Sequence, residues 1–398
     1  MQPEDELLLL AARSAMNADE RTHFAKLLAA PLDWRYLTAM ASAHGIAPLF
    51  CHHCRQYALL SLLPAKARSY LECLGYASAL RSLRAMAELP PLLSAWDAAG
   101  IPAIVLKGVI LEQFYGSGLR PMADVDVLVA PENLATAEAL LVEQGYILDA
   151  PVSRFRQAWE RSHMHLRFCH PEAAMPVELH WDLMPQQTRM PFSLNTDAIR
   201  ARACRTRIAG APAWTLNGED LLLYLVLHHF RHGGQSLLGY ADVAETVRQL
   251  GARLSWEDVV DRAGAWGAED IASYILAWVQ HYLGAPVPPI VIRTLCPSGK
   301  TPRLGKNPIP APGMINNRWA CLARQLPFFL NMRWRLGYAW HSLFPSPSEV
   351  ACMGGNTPRE YLSTLLGPAR LRRGLRQTLA LARRNGSHRG RRVKTHSG

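Results

Sequence analysis

Two aspartates one residue apart, within an apolar segment, constrain this chain most strongly. Residues 101–130 read IPAIVLKGVILEQFYGSGLRPMADVDVLVA, which predicts a strand, a Lys-Gly turn, a short helix and a second strand. Asp124 and Asp126 lie two positions apart on that second strand, so their side chains point to the same face of a buried sheet. Two carboxylates this close repel each other unless a cation lies between them, which favours an oxygen-binding divalent metal.

The turn before the short helix predicts a phosphate site. Gly108 lacks a side chain where the helix begins, so a phosphate group can approach the backbone N–H groups there. Lys107 beside it is a candidate contact for that phosphate, although a solvated turn residue is the alternative interpretation. A metal and a phosphate at one site indicate phosphoryl or nucleotidyl transfer.

Three motifs in a fixed order give the chain a resemblance to a known family. They are Leu106-Lys107-Gly108, the R-x-x-x-D-x-D-x-L-V segment at Arg120–Val129, and the VELHW strand at Val177–Trp181. This pattern resembles the DNA polymerase beta-like nucleotidyltransferase superfamily and, more closely, a bacterial family of uncharacterised nucleotidyltransferases. The likeness is strongest over Ile101–Trp181.

The resemblance implies a reaction and a set of site residues. An NTP is the implied substrate, Mg²⁺ or Mn²⁺ the implied cofactor, and two such ions clamp the attacking and leaving oxygens of an in-line displacement. Three carboxylates are the implied catalytic metal ligands: Asp124, Asp126 and Glu178. Four residues are the implied nucleotide contacts: Lys107, Gly108, Arg120 and His180.

Ordinary structural roles remain open for several of these residues. Glu178 is alternatively a cross-strand partner of Arg167, His180 a core histidine, and Arg120 a residue that fixes its loop. The wider superfamily carries Gly-Ser at the strand-to-helix turn, whereas this turn has no hydroxyl. Gly116-Ser117 is a substitute that we rank below Gly108. The histidines of HHFRHGG, at 228–234, are candidates for the acceptor site or for core and capping roles.

The predicted fold class is α+β, with a small mixed β-sheet nucleotidyltransferase core flanked by helices and largely helical N- and C-terminal regions. We expect a helical region at 1–90, the core at 91–200, a helical domain at 201–284, a Pro-rich linker at 285–315 and a C-terminal helical region with a basic tail at 316–398. Alternation in 163–168 and 177–181 predicts an antiparallel hairpin.

The net charge of +11 belongs mainly to the end of the chain. Residues 361–398 hold ten Lys and Arg and no Asp or Glu, so the rest of the chain carries only +1. Such a tail suits an anionic partner, RNA or a membrane surface, although a solvated end is the simpler interpretation.

Residues 326–344 are both aromatic and basic, which is typical of a core helix or of a helix lying on a membrane or partner surface.

Composition favours a cytoplasmic protein. The sequence shows neither a signal peptide nor a run of 18 apolar residues, so we expect no transmembrane segment. Eight cysteines are scattered along the chain, which indicates reduced thiols. Cys51-His52-His53-Cys54 lacks a well-spaced second ligand pair, so buried thiols on a helix are favoured over a zinc site.

Three functional hypotheses follow. The leading one is metal-dependent transfer of NMP from an NTP to an unidentified acceptor. The alternatives are a catalytically inactive binding or scaffold protein with this fold, and an RNA-modifying nucleotidyltransferase docked by its Arg-rich tail. We expect Asp126→Asn to abolish transfer while leaving the fold intact and relieving like-charge repulsion.

Overall fold

In a computed structural model of the protein, the described residues are 1–149, 156, 159–160, 163–173, 175–185, 190–296, 304, 308–310 and 325. The chain begins with helices, as predicted. Asn17 and Glu20 form a capping box at the start of the second helix, and the Asp33 side chain caps the third. Five helices precede the sheet: α1 Pro3–Ala11, α2 Ala18–Leu28, α3 Trp34–Ala43, α4 Ala47–Gln56 and α5 Ala65–Ala98.

Helix α5 continues through two prolines. Pro90 and Pro91 lack the N–H groups that would bond to the preceding turn, a pattern that normally ends or kinks a helix. Leu89, Leu93 and Trp96, which flank the prolines, are each at most 2% exposed. Burial of these side chains holds both halves in one 34-residue helix.

A seven-stranded mixed sheet follows, with two helices between its first strands. The strands are β1 Ile104–Val105, β2 Val125–Leu128, β3 Ile147–Leu148, β4 His165–Cys169, β5 Val177–His180, β6 Cys204–Ile208 and β7 Ala211–Thr215. Helix α6, Lys107–Tyr115, links β1 to β2, and helix α7, Leu134–Glu143, links β2 to β3. The order across the sheet is β3-β4-β5-β2-β1-β7-β6. This arrangement confirms the α+β class, and β4 and β5 form the predicted antiparallel hairpin.

The parallel pairing of β2 with β5 positions the candidate site. Its register sets Asp126 directly beside Glu178 and Leu128 beside His180. Side chains at paired positions of neighbouring strands point to the same face, so this pairing gathers polar groups at the centre of a buried sheet. Val125 and Val127 alternate with the aspartates and are buried on the other face.

Helices complete the described structure. They are α8 Thr196–Ala201, α9 Gly218–Arg231, α10 Leu237–Leu250, α11 Trp256–Trp266, α12 Glu269–Leu283 and α13 Pro289–Thr294. Asn217, Ser236 and Ser255 cap α9, α10 and α11 with their side chains. Helix α13 lies inside the range expected to be an extended linker, and Val291 and Ile292 are buried, so its apolar side chains pack against the helices before it.

Two of the expected domain boundaries, at residues 90 and 200, fall inside structural units. Residue 90 lies within α5, and the sheet continues past residue 200 to Thr215, because β7 pairs with β1 in parallel. The predictions for residues 326–344 and for the basic tail lie outside the described residues. In the described part of the chain, no helix is long and apolar enough to cross a membrane.

Candidate active site

Three carboxylates converge at the centre of the sheet. Asp126 on β2 and Glu178 on β5 are register partners, and Asp124 precedes β2 on the same face. One carboxylate oxygen from each residue lies within 4.8 Å of the other two, so the three could hold one metal ion. The structure therefore brings together all three predicted metal ligands, which come from two separate segments of the sequence.

Lys107 supplies the positive charge nearest to the two aspartates. Its Nζ donates to Asp126 Oδ2 at 2.6 Å and lies 3.6 Å from Asp124 Oδ1. His180 Nε2 donates to the other Asp126 oxygen, Oδ1, at 3.0 Å. Asp126 thus lies between two hydrogen-bond donors in a buried position, while the Asp124 side chain is 31% exposed.

These surroundings shift the pKa values of Asp126 and Asp124 in opposite directions. Burial alone would raise the pKa of Asp126, but Lys107 and His180 outweigh burial and hold that pKa well below its usual range. Burial and the neighbouring Asp126 charge raise the pKa of Asp124. Burial opposes the charge on Lys107, yet the two aspartates raise its pKa overall. Asp126 is therefore the fixed anion of the pair, and Asp124 is the carboxylate whose charge is least compensated.

Glu178 lies between two histidines. Its Oε2 atom is 3.7 Å from His180 Nε2 on its own strand and 3.6 Å from His165 Nε2 on β4. Burial opposes its charge, but His180 and His165 lower the pKa of Glu178 overall. The alternative pairing with Arg167 is not observed, because that guanidinium lies 3.8 Å from Asp149.

Helix α9 forms the opposite wall of a cleft of about 460 Å³ above the carboxylates. Lys107, Asp124, Asp126, Glu178 and His180 line one side. Residues of α9 and the turn after it line the other: Tyr224, His228, His229, Arg231 and His232. The cleft therefore places anionic groups of the sheet opposite a helix rich in histidine and arginine.

The α9 wall is a mixture of neutral and cationic groups. Burial, aided by the nearby Arg231 charge, lowers the pKa of His232 to about 3, and burial also lowers the pKa of His228 far below its usual range. Burial lowers the pKa of Arg231 as well, but an arginine remains charged at neutral pH. Arg231 and Lys107 are thus two cations facing this cleft, and the histidines there offer neutral rings.

Two of the predicted nucleotide contacts have other partners. Arg120 Nε and Nη2 donate to the two oxygens of Asp242 on α10 at 2.8 and 2.7 Å, and both side chains are buried. A Cβ added at Gly108 would lie 3.3 Å from Met122 Sδ and 3.6 Å from Arg120 Nη1. Within the described part of the chain neither Gly108 nor Arg120 lines the cleft, and both pack the α6–β2 connection, so their roles as nucleotide contacts stay predictions.

The Cys51-His52-His53-Cys54 motif lies on α4 and is part of the core. Cys51 and Cys54 are buried free thiols, and His53 Nε2 donates to the carbonyl of Arg13 at 2.8 Å. These contacts fit the structural interpretation of the motif.

Sequence reasoning missed His165 and Arg231. His165 is the register partner of His180 across the β4–β5 hairpin, and that pairing could have been found by aligning the two alternating segments. Arg231 lies within the HHFRHGG segment, whose histidines were the candidates for the acceptor site. Its place opposite the carboxylates depends on how α9 packs on the sheet, and no local pattern reports that packing.

Comparison with known proteins gives one match. A family described as uncharacterised nucleotidyltransferase matches residues 30–284, which is more than half of the chain. No curated protein and no solved structure matches the chain. The matched region contains the whole sheet, helix α9 and every residue that lines the cleft. The chain therefore belongs to this family of uncharacterised nucleotidyltransferases.

Proposed function

We propose that the protein transfers a nucleoside monophosphate from an NTP to an acceptor nucleophile, using Asp124, Asp126 and Glu178 as ligands for Mg²⁺ or Mn²⁺. The acceptor oxygen or other nucleophile attacks the α-phosphorus, the bond from that phosphorus to the bridging oxygen breaks, and pyrophosphate leaves. The observation that carries this proposal is the convergence of the three carboxylates at the floor of one cleft.

The donor set suits the proposed ion. Hard divalent cations prefer carboxylate oxygens, and Mg²⁺ is commonly held by a few carboxylates together with substrate phosphates. Three carboxylates carry more negative charge than Lys107 alone balances. When bound, such an ion would polarise the phosphates and lower the pKa of the acceptor nucleophile.

The chain's own residues supply charge and position. Lys107 is fixed at the end of β1 and already faces both aspartates, so it is the nearest side-chain cation for the phosphates of an NTP. Arg231 faces the same space from α9. Guanidinium and ammonium groups both bind phosphate oxygens, and the buried setting strengthens these contacts.

His180 is proposed to orient Asp126. Its Nε2 donates to Asp126 Oδ1 at 3.0 Å, and Asp126 and Glu178 together raise the pKa of His180 against the opposing effect of burial. A donor fixed on one oxygen of Asp126 limits the rotation of that carboxylate, which keeps its other oxygen pointed at the cleft. In this proposal His180 is a positioning residue and not a nucleotide contact.

Nucleotide titration calorimetry tests the proposal. Each of the four NTPs is titrated into the full-length protein with Mg²⁺ and again with EDTA. We expect binding of at least one NTP only with Mg²⁺, and a loss of affinity of about 100-fold in Asp124→Asn and Glu178→Gln, as is typical of damage to a metal site.

Asp149→Asn is the matched control, because Asp149 is an acidic residue at the end of β3 that faces Arg167 and not the cleft. This variant should bind like the wild type. Mg²⁺-independent binding, or equal affinity in all variants, would contradict the proposed site.

A further inference from the structure

A second group of potential metal ligands adjoins the three carboxylates. His165, Glu178 and His180 each offer one ligand atom, and these atoms lie within 4.8 Å of one another. His165 and His180 are register partners on β4 and β5, and their ring centroids are 4.9 Å apart. The two strands therefore hold both imidazoles beside the same carboxylate, and Glu178 belongs to both groups.

The distances suit an ion between these atoms better than direct hydrogen bonds. Glu178 Oε2 lies 3.6 Å from His165 Nε2 and 3.7 Å from His180 Nε2. A hydrogen bond between such atoms would be about 2.7–3.2 Å long. Two ligands of a tetrahedral Zn²⁺, each about 2.1 Å from the ion, lie about 3.4 Å apart. Small movements of these three side chains would bring one ligand atom from each within bonding distance of a single ion.

The chemistry of the donors selects a class of ion. Imidazole nitrogen together with one carboxylate suits borderline divalent metals such as Zn²⁺ and Co²⁺, whereas Mg²⁺ prefers an all-oxygen set. His180 Nε2 donates to Asp126 in this structure, and an ion bound at Nε2 would replace that proton, so donation to Asp126 and metal binding by His180 are alternative states of this residue.

We propose that His165, Glu178 and His180 form a second cation site that binds a divalent transition metal of the Zn²⁺ class, beside the three-carboxylate site and sharing Glu178 with it. The inference goes beyond the proposed nucleotidyl transfer and does not require it, because it rests on the two histidines and their distances to Glu178.

Cobalt spectroscopy on the full-length protein tests this site. Protein freed of metal with EDTA is titrated with Co²⁺, and visible absorption is recorded with and without Zn²⁺ as competitor. We expect strong visible bands that Zn²⁺ removes. His165→Gln should lower the Co²⁺ affinity by more than about 100-fold, since even outer partners of metal ligands are worth up to that factor.

Two further variants make the result specific. His163→Gln is the matched control, because His163 lies on the same segment but stacks on Trp159 with ring centroids 3.7 Å apart. It should bind Co²⁺ like the wild type. His165→Cys replaces the imidazole with a thiol and should add a sulfur-to-cobalt charge-transfer band, a signal that a misfolded protein would not give.

The outcomes separate this inference from the proposed function. Absence of Co²⁺ bands in the wild type, unchanged Co²⁺ affinity in His165→Gln, or a His165→Cys spectrum without the new band would overturn the second site. Asp124→Asn should impair Mg²⁺-dependent NTP binding while keeping the Co²⁺ bands. If the Co²⁺ results hold but no NTP binds, the proposed function fails and the second site stands.

Discussion

At the scale of single residues, Asp124 and Asp126 have the same chemistry but different surroundings. Asp126 accepts hydrogen bonds from Lys107 and His180, whereas Asp124 lies 3.6 Å from Lys107 and repels Asp126. The sequence places both on one strand face but does not reveal which of them Lys107 binds. Replacing Asp126 would relieve this repulsion but would also remove the partner of Lys107 and His180, so we expect a net loss of stability.

The first prediction compares the two aspartates by stability. Without divalent metal, Asp126→Asn should lower the free energy of unfolding by about 3 kcal/mol, because it leaves Lys107 and His180 without their shared anion. Asp124→Asn should be neutral, or stabilise by less than about 1 kcal/mol, because it removes a repelling charge. Urea denaturation in EDTA measures both, and equal effects would contradict the assignment.

The stability difference between the wild type and Asp126→Asn should depend on pH. A carboxyl whose native pKa is lowered stabilises the fold above its unfolded pKa, and this contribution is lost as pH falls through the native value. The stability gap between the wild type and Asp126→Asn should therefore be largest at neutral pH and begin to narrow below about pH 4. A gap that widens on acidification would contradict the lowered pKa of Asp126.

The sequence predicted the three carboxylates of the candidate site but not all of the residues around them. The alternation of Asp124, Val125 and Asp126 predicted a shared face, and VELHW predicted Glu178 as the third carboxylate. His165 and Arg231 became visible only with strand register and helix packing, because each is separated in sequence from the residues it faces.

At the scale of elements, the connection from α6 to β2 is held by buried contacts that the sequence did not reveal. Arg120 binds both oxygens of Asp242 on α10, and Tyr115 donates to the same carboxylate at 3.1 Å. The Nε and Nη2 atoms of Arg120 thus join α10 to the loop that leads into Asp124.

A prediction follows for the Arg120–Asp242 pair. Arg120→Met should destabilise the protein by about 3–5 kcal/mol, because the Asp242 charge is left buried without its partner. Adding Asp242→Asn should recover much of that loss by removing the charge. Denaturation measures the stability, and calorimetry of the folded double variant measures NTP affinity. A stable double variant with strongly reduced NTP affinity would support Arg120 as a phosphate contact, and unchanged NTP affinity would contradict that prediction.

The elements formed by residues close together in the chain could be predicted from the sequence. The β4–β5 hairpin and the helix after Lys107 follow from short-range alternation and periodicity. The parallel pairs β2–β5 and β1–β7 join segments about 50 and 110 residues apart, and no local signal selects such partners. The β6–β7 hairpin was missed because its alternation is broken by Pro212 within β7.

At the scale of the whole molecule, the N-terminal helices pack against the helices that follow the sheet. Ser14 Oγ donates to Glu245 on α10 at 2.5 Å, and Arg13 donates to the carbonyl of Tyr282 at 3.2 Å. His44 Nε2 donates to the carbonyl of Pro310 at 3.0 Å. Sequence composition suggested separate regions, but the described structure connects them through polar contacts that composition cannot report.

The most direct test of nucleotidyl transfer follows the label of an NTP. Full-length protein is incubated with Mg²⁺, a heat-inactivated cell extract as the source of acceptor, and NTP labelled at either the α- or the γ-phosphate. Nucleotidyl transfer should place the α-label in product and the γ-label in pyrophosphate. Asp126→Asn should abolish both signals, and Asp149→Asn should keep both. A γ-labelled product, or α-label transfer that persists in Asp126→Asn, would contradict nucleotidyl transfer at these carboxylates.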